Sequence, residues 1–159
     1  MRSRRPFSHT RYGLRLLVFT GSLTIGATGC GGVEPVVYEP GFMVGEWLAE
    51  TLLLTSVADP LVFTELVADL GAVFTLSVQP SGRYTAILTG FGQSSSEFGR
   101  LTVDGDEVVL FPESPPGEES RAVWERIGDT VILEGESEFD FDLDGTAEPA
   151  TRRQVLIPN

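Results

Sequence analysis

The chain has 159 residues, 11 of them arginine and none lysine, with 23 acidic residues, one histidine, one cysteine and a net charge of −12. A lone cysteine excludes an intramolecular disulfide, and the lack of lysine excludes Schiff-base catalysis. The acidic balance repels polyanions, so no nucleic-acid partner is expected.

Residues 1–15 carry five arginines and no acidic residue; Leu16–Ile25 is apolar, and Ala27-Thr28-Gly29-Cys30 follows. This is the order of a charged region, a short hydrophobic region and a small-residue cleavage site. The apolar run is too short for a membrane-spanning helix, which needs about 20 residues. The block resembles a bacterial lipoprotein signal peptide ending in a lipobox. The resemblance implies that residues 1–29 are removed and that Cys30 carries palmitate. The membrane is then a partner through that lipid. Gly31, where an aspartate would imply retention at the inner membrane, implies the outer membrane, facing the periplasm or the exterior. Ser3-Arg4-Arg5-Pro6-Phe7 also resembles the twin-arginine export motif, so both export routes stay open. The chain from Cys30 onward keeps six arginines against all 23 acidic residues, a net charge of −17 over 130 residues. That length suits one domain, expected as a monomer with a solubilising acidic surface.

Residues 30–42, rich in glycine and proline, read as a flexible tether. A domain is expected over 43–159. Gly45-Glu46-Trp47 opens a first strand that runs to about Val57. Asp59, Pro60 and Gly71 then bracket an apolar stripe of Val62, Phe63, Leu66, Val67 and Leu70, predicting a short helix near 60–70. From Phe74 the period changes to two. Strands are predicted over Phe74–Val78 and Arg83–Thr89, with a turn at Gln79-Pro80-Ser81-Gly82. A Gly/Ser-rich loop, residues 90–99, precedes a strand at Arg100–Val103. Further strands follow at Val108–Phe111, Arg121–Ile127, Thr130–Glu134, Ser137–Leu143 and Thr151–Ile157. Asp104-Gly105, Gly128-Asp129 and Asp144-Gly145 mark hairpin turns. The series predicts an all-β, up-and-down antiparallel meander that closes into a barrel, which removes exposed edges.

Gly45-Glu46-Trp47, a short crossover and a meander containing FTLSVQPSGRYTAIL, TVDGDEVVL and a DxDxDG stretch resemble the lipocalin-like (calycin) superfamily. More closely, they resemble small bacterial lipocalin-like lipoproteins of unassigned function. The resemblance implies that Trp47 packs across the closed end of the barrel, beneath an arginine of the last strand, Arg152 or Arg153. It also implies an interior that can hold a small hydrophobic ligand. Phe74, Tyr84, Phe98, Trp124, Phe139 and Phe141 are the candidate residues for that interior. The other reading is a structural or interaction lipoprotein whose packed core holds no ligand.

The stretch EFDFDLDGTAEP raises the question of a cation. Counted as a calcium loop from Asp140, it puts Gly145 where such loops turn, but Thr151 where they place a bidentate glutamate. Phe139, Phe141 and Leu143 alternate with the aspartates, as in a strand, whose same-face residues stand roughly 6.7 Å apart. The expected arrangement buries those three apolar residues and turns at Asp144-Gly145. A weak cation site at Asp140, Asp142 and Asp144 is the alternative. His9 and Cys30 leave no histidine-based triad, Cys–His pair or histidine-ligated zinc site in the mature domain. No enzymatic activity and no cofactor are therefore expected.

Overall fold

The computed structural model describes residues 37–90 and 92–159. The predicted signal, Cys30 and the first part of the tether lie outside the described residues.

The described residues form nine strands: β1 (Gly45–Ser56), β2 (Phe63–Glu65), β3 (Val73–Val78), β4 (Arg83–Gly90), β5 (Gln93–Asp104), β6 (Glu107–Ser114), β7 (Ser120–Ile127), β8 (Thr130–Phe139) and β9 (Glu148–Pro158). A single 3-10 turn, Gly41–Met43, precedes them. Strands β3 to β9 each pair with the next, and β9 returns to pair with β1 from Trp47↔Pro158 to Ser56↔Ala150. The meander thus closes as an eight-stranded barrel, as the sequence predicts. β1 is long enough to serve three partners. One edge takes β9, and the other takes β3 at Gly45–Leu48 and the short β2 at Leu53–Thr55.

Alternation decides what fills the barrel. On β4, Tyr84, Ala86 and Leu88 are buried between exposed Arg83, Thr85, Ile87 and Thr89. One end is packed solid: Met43, Trp47, Leu76, Val78, Leu101, Val108, Val131 and Leu156 form one cluster. A second cluster of Leu52, Leu54, Leu66, Ala72 and Leu88 lies toward the other end, where Phe74, Phe139 and Phe141 lean on it. Each fully buried Leu or Val contributes about 1.5–3 kcal/mol. Gly99 permits the close approach of β6 to β5, since a Cβ there would stand 2.1 Å from the carbonyl oxygen of Phe111.

Four expectations are corrected. Residues 60–70 form no α-helix. Phe63–Glu65 pairs with β1 as β2, and residues 66–70 make a turn. The reason is Glu65, whose carboxylate accepts from Leu52 N–H at 2.6 Å and also from Ala68 N–H. The segment is thereby stitched to β1, and only Asp69 N–H···O Glu65 and Gly71 N–H···O Val67 keep helical spacing. The presumed Gly/Ser loop is mostly strand. Ser94, Ser95 and Ser96 pair with Thr89, Leu88 and Ile87, so β5 begins at Gln93. The strand expected to run to Leu143 ends at Phe139; Leu143 is exposed and left-handed, with φ 62°. Finally, the packed domain starts before Met43. Glu39 exchanges hydrogen bonds with Thr102 and Val103, Tyr38 meets Phe111 edge to face, and Met43 is wholly buried.

Candidate functional site

The two ends of the barrel differ. At the closed end the Trp47 indole donates to the Met43 carbonyl at 2.8 Å, and Phe42 stacks on Trp124 with centroids 4.3 Å apart. The opposite end carries β2, the start of β5 and the β8–β9 loop. There the barrel holds a cavity of about 130 Å³. Its walls include Leu52, Leu54, Leu66, Phe74, Leu88 and Phe139, and its polar lining includes Glu97, Ser137, Arg152 and Gln154.

The pleat explains the polar groups. On β9, Ala150, Arg152, Gln154 and Leu156 share one face, and Thr151 and Arg153 take the other. Outside, Arg153 pairs with Glu134 at 3.0 Å. Inside, Gln154 is only 3% exposed. Among the described residues, neither its Nε2 nor the buried Nε of Arg152 has an acceptor, and Ser95 Oγ on β5 is likewise buried without a partner. Glu97 shares the face of Ser95 and Leu101 on β5. It accepts a hydrogen bond from the Tyr84 hydroxyl at 2.6 Å. Burial first, and then that bond to Glu97, hold the Tyr84 phenol well above its ordinary range. Burial lowers the affinity of the Arg152 guanidinium for its proton, and the nearby charge of Glu97 opposes this. Among the described residues, every ion pair within 4 Å uses another arginine: 100, 121, 126 or 153. An interior guanidinium therefore lacks a contact partner in a strongly acidic protein. Unpaired buried polar groups of this kind are costly.

The candidate aromatics separate. Phe74 and Phe139 line the cavity. Phe141 packs on Phe139 at 5.1 Å beside the opening. Tyr84 is buried deeper, beside Glu97. Trp124 belongs to the closed end, where its Nε1 donates to the Gly105 carbonyl. Phe98, expected inside, is 49% exposed, because Glu97 and Gly99 take the inward positions on β5. The arginine expected over Trp47 is also corrected. Arg152 and Arg153 pair in register with Leu54 and Leu53, far along β1 from Trp47, and at the closed end it is Arg126 that lies over Phe42. Sequence reasoning missed Gln154 and Glu97. The available signal was a polar pair, Arg152 and Gln154, between Ala150 and Leu156 on the inward face of the last strand.

The acidic loop is built differently from either expectation. Asp140, Asp142 and Glu148, not Asp144, bring carboxylate oxygens within 4.8 Å of one another. These groups also bind the chain itself. Asp140 accepts from Asp144 N–H and Gly145 N–H, Asp142 from Asp144 N–H, and Glu148 from Phe141 N–H. Asp144 caps Thr146 N–H at 2.7 Å. The loop is a cage of carboxylates around its own backbone donors.

No family model matches the chain, and no curated protein matches it. Among solved structures it is similar to the lipoprotein YedD from Klebsiella pneumoniae subsp. pneumoniae MGH 78578. The TM-score is 0.44 at 17% identity, covering 78% of this chain and 79% of that one.

Chemically, the cavity offers apolar walls, the unused donors of Arg152 and Gln154, and the carboxylates of Glu97, Glu118, Glu136 and Glu138. It can hold a small molecule and orient one polar end of it.

Proposed function

We propose that this chain is a lipid-anchored cell-envelope protein, of lipocalin-like type, whose barrel binds a small molecule with an apolar body. The observation that carries the binding reading is the cavity at the open end, with Arg152 Nε and Gln154 Nε2 buried there without acceptors. A solid core would place no such groups inside. The size sets the scale of the ligand. An apolar cavity of about 150 Å³ in another protein takes benzene, so about six heavy atoms fit within and a longer body would project through the mouth. Binding, not catalysis, is the role, since the domain after Cys30 holds no histidine, lysine or second thiol. Native mass spectrometry of protein extracted from its own cells tests this reading. A retained small molecule is expected, and protein that is uniformly of chain-plus-anchor mass argues for the packed, ligand-free alternative. That alternative draws on the cavity being smaller than ordinary ligand pockets of roughly 300–1,000 Å³.

The envelope assignment rests on the order of Arg-rich start, apolar run and Ala27-Thr28-Gly29-Cys30. With Gly31 behind the cysteine, the outer membrane is the proposed destination. Cys30→Ser is expected to abolish palmitate labelling and leave uncleaved precursor. Normal processing and release of that variant would overturn the assignment.

A further inference from the structure

We infer that the outer wall of the barrel formed by β3, β4 and β5 rests on the phospholipid bilayer. This rests on the proposed anchor at Cys30 and adds the face that meets the lipid. Charge singles the wall out. Its outward positions alternate from Val73 to Ser77 on β3, from Arg83 to Thr89 on β4 and from Ser94 to Arg100 on β5, and none is acidic. Exposed carboxylates stand on other strands: Glu46 and Glu50 on β1, Glu113 on β6, Glu125 on β7 and Glu134 on β8. Lipid phosphates repel those faces and not this one. Val73, Ile87 and Phe98, one from each strand, are exposed on the wall. Large apolar side chains gathered on one face mark an interaction surface. Arg83 and Arg100 stand directly opposite each other across β4 and β5, where like charges repel. Glu113 pairs with Arg100 at 3.2 Å, but Arg83 makes no ion pair within 4 Å among the described residues. One positive charge is thus left over, which a phosphate can answer. Beside it lies a groove of about 170 Å³, lined also by Ser77, Thr85, Phe98 and Glu113, that can seat a lipid headgroup. The chain leaves the barrel at the same place. A Cβ on Gly82 would stand 2.5 Å from the Tyr38 Cβ, and the Arg100 guanidinium lies 5.4 Å from the centre of the Tyr38 ring. Seven residues separate Cys30 from Val37, a reach of at most about 25 Å. A lipid on Cys30 would therefore hold the arginine end of this wall within that distance of the bilayer.

The test uses the chain extracted from its cells and reconstituted into vesicles of phosphatidylethanolamine and phosphatidylglycerol. A nitroxide is placed on the wall at Thr85→Cys, or away from it at Glu125→Cys on β7. In vesicles the label at 85 is expected to be shielded from a water-soluble nickel chelate and reached by oxygen, while the label at 125 stays open to nickel. Arg83→Gln should lower the ratio of docked to undocked domain about fivefold, the worth of one basic residue at an anionic surface. Should Thr85→Cys fail to fold, Ser96→Cys, exposed on the same wall, reports on the same contact. Equal nickel access at the two positions would overturn the docking and leave the anchor intact. Shielding at 85 that persists in detergent without vesicles would give the wall to a second copy of the chain and also overturn it. Protein that fails to float with the vesicles would sink the anchor reading, and the docking with it.

Discussion

Met43→Ala tests whether the segment before β1 belongs to the fold. Met43 has no exposed surface and sits in the closed-end cluster with Trp47, Leu101, Val108 and Leu156. Truncation removes three heavy atoms beyond Cβ from a site with rigid neighbours on every side. Buried Met→Ala changes cost about 2–5 kcal/mol, depending on how far the cavity collapses. A value near 3 is reasonable here, since barrel strands move together and the Trp47 indole stays tied to the backbone carbonyl of residue 43. A domain of this kind has about 5–15 kcal/mol in total. The loss is therefore a large share of its stability. At a urea dependence of about 1–3 kcal/mol per molar, the unfolding midpoint should fall by roughly 1–3 M. Val37→Ala, at a position 74% exposed, is the control and should change stability by no more than about 0.5 kcal/mol. If Met43→Ala moves the midpoint no further than Val37→Ala, residues 38–43 are not seated on the barrel in solution. The tether would then end at Phe42 after all.

Three other outcomes follow from the same geometry. Arg152→Met should stabilise the protein by about 1–2 kcal/mol, read as a higher urea midpoint, because it removes an interior charge that makes no ion pair within 4 Å; a fall would show that Glu97 already compensates it. Tyr84 is held above its ordinary value of 10.0 in the folded state. The unfolded chain therefore loses its proton first, and stability should decline as pH rises past 10.0, which urea melts at alkaline pH would register and Tyr84→Phe should abolish. Asp140→Asn should cost about 1 kcal/mol, since an amide nitrogen cannot accept from Gly145 N–H, while Asp142→Asn can keep its single bond to Asp144 N–H; equal costs in the two melts would refute the cage.

The barrel was legible because its strands alternate cleanly. Tyr84, Ala86 and Leu88 against Arg83, Thr85 and Ile87 leave no doubt about facing. Turn residues marked where strands reverse, as at Gly82 and Gly128, both with positive φ. The helix expected near 60–70 does not form, for a physical reason. Its stripe and its flanking Asp59 and Gly71 fit helical spacing, but a Glu65 carboxylate bonded to the backbone of β1 outweighed a local preference worth only tenths of a kcal/mol per residue. The serines of β5 are strand where their composition suggests a loop, because β propensity reflects packing surroundings more than the backbone alone. Ser94 gains its place from pairing with Thr89, hydroxyl to hydroxyl at 3.2 Å.

The candidate site was less legible than the fold, and the two errors about arginine and aspartate share a cause. Period-two reasoning gives the face of a residue but not its level along the barrel. The resemblance offers Arg152 or Arg153 without choosing between them; the pleat turns Arg152 inward, and its level is set by register, Leu54↔Arg152, which follows from how β9 closes on β1 with a bulge between Ala49 and Thr51. That closure is a long-range event, and no local pattern encodes it. The acidic loop fails the same way. Phe139, Phe141 and Leu143 alternate as a strand should, but pairing ends at Phe139↔Glu148, and beyond it the chain has no neighbour to keep it extended. Its backbone donors then turn to the nearest acceptors, the carboxylates of Asp140, Asp142, Asp144 and Glu148. In the cavity the balance is reversed. There the Nε donor of Arg152 and the Nε2 donor of Gln154 are the groups left over, although Glu118, Glu136 and Glu138 line the cavity beside Glu97, which accepts from Tyr84. Among the described residues Arg152 thus stands inside the barrel with the charge of Glu97 nearby and no ion pair within 4 Å, at a level that barrel closure and not local pattern decides.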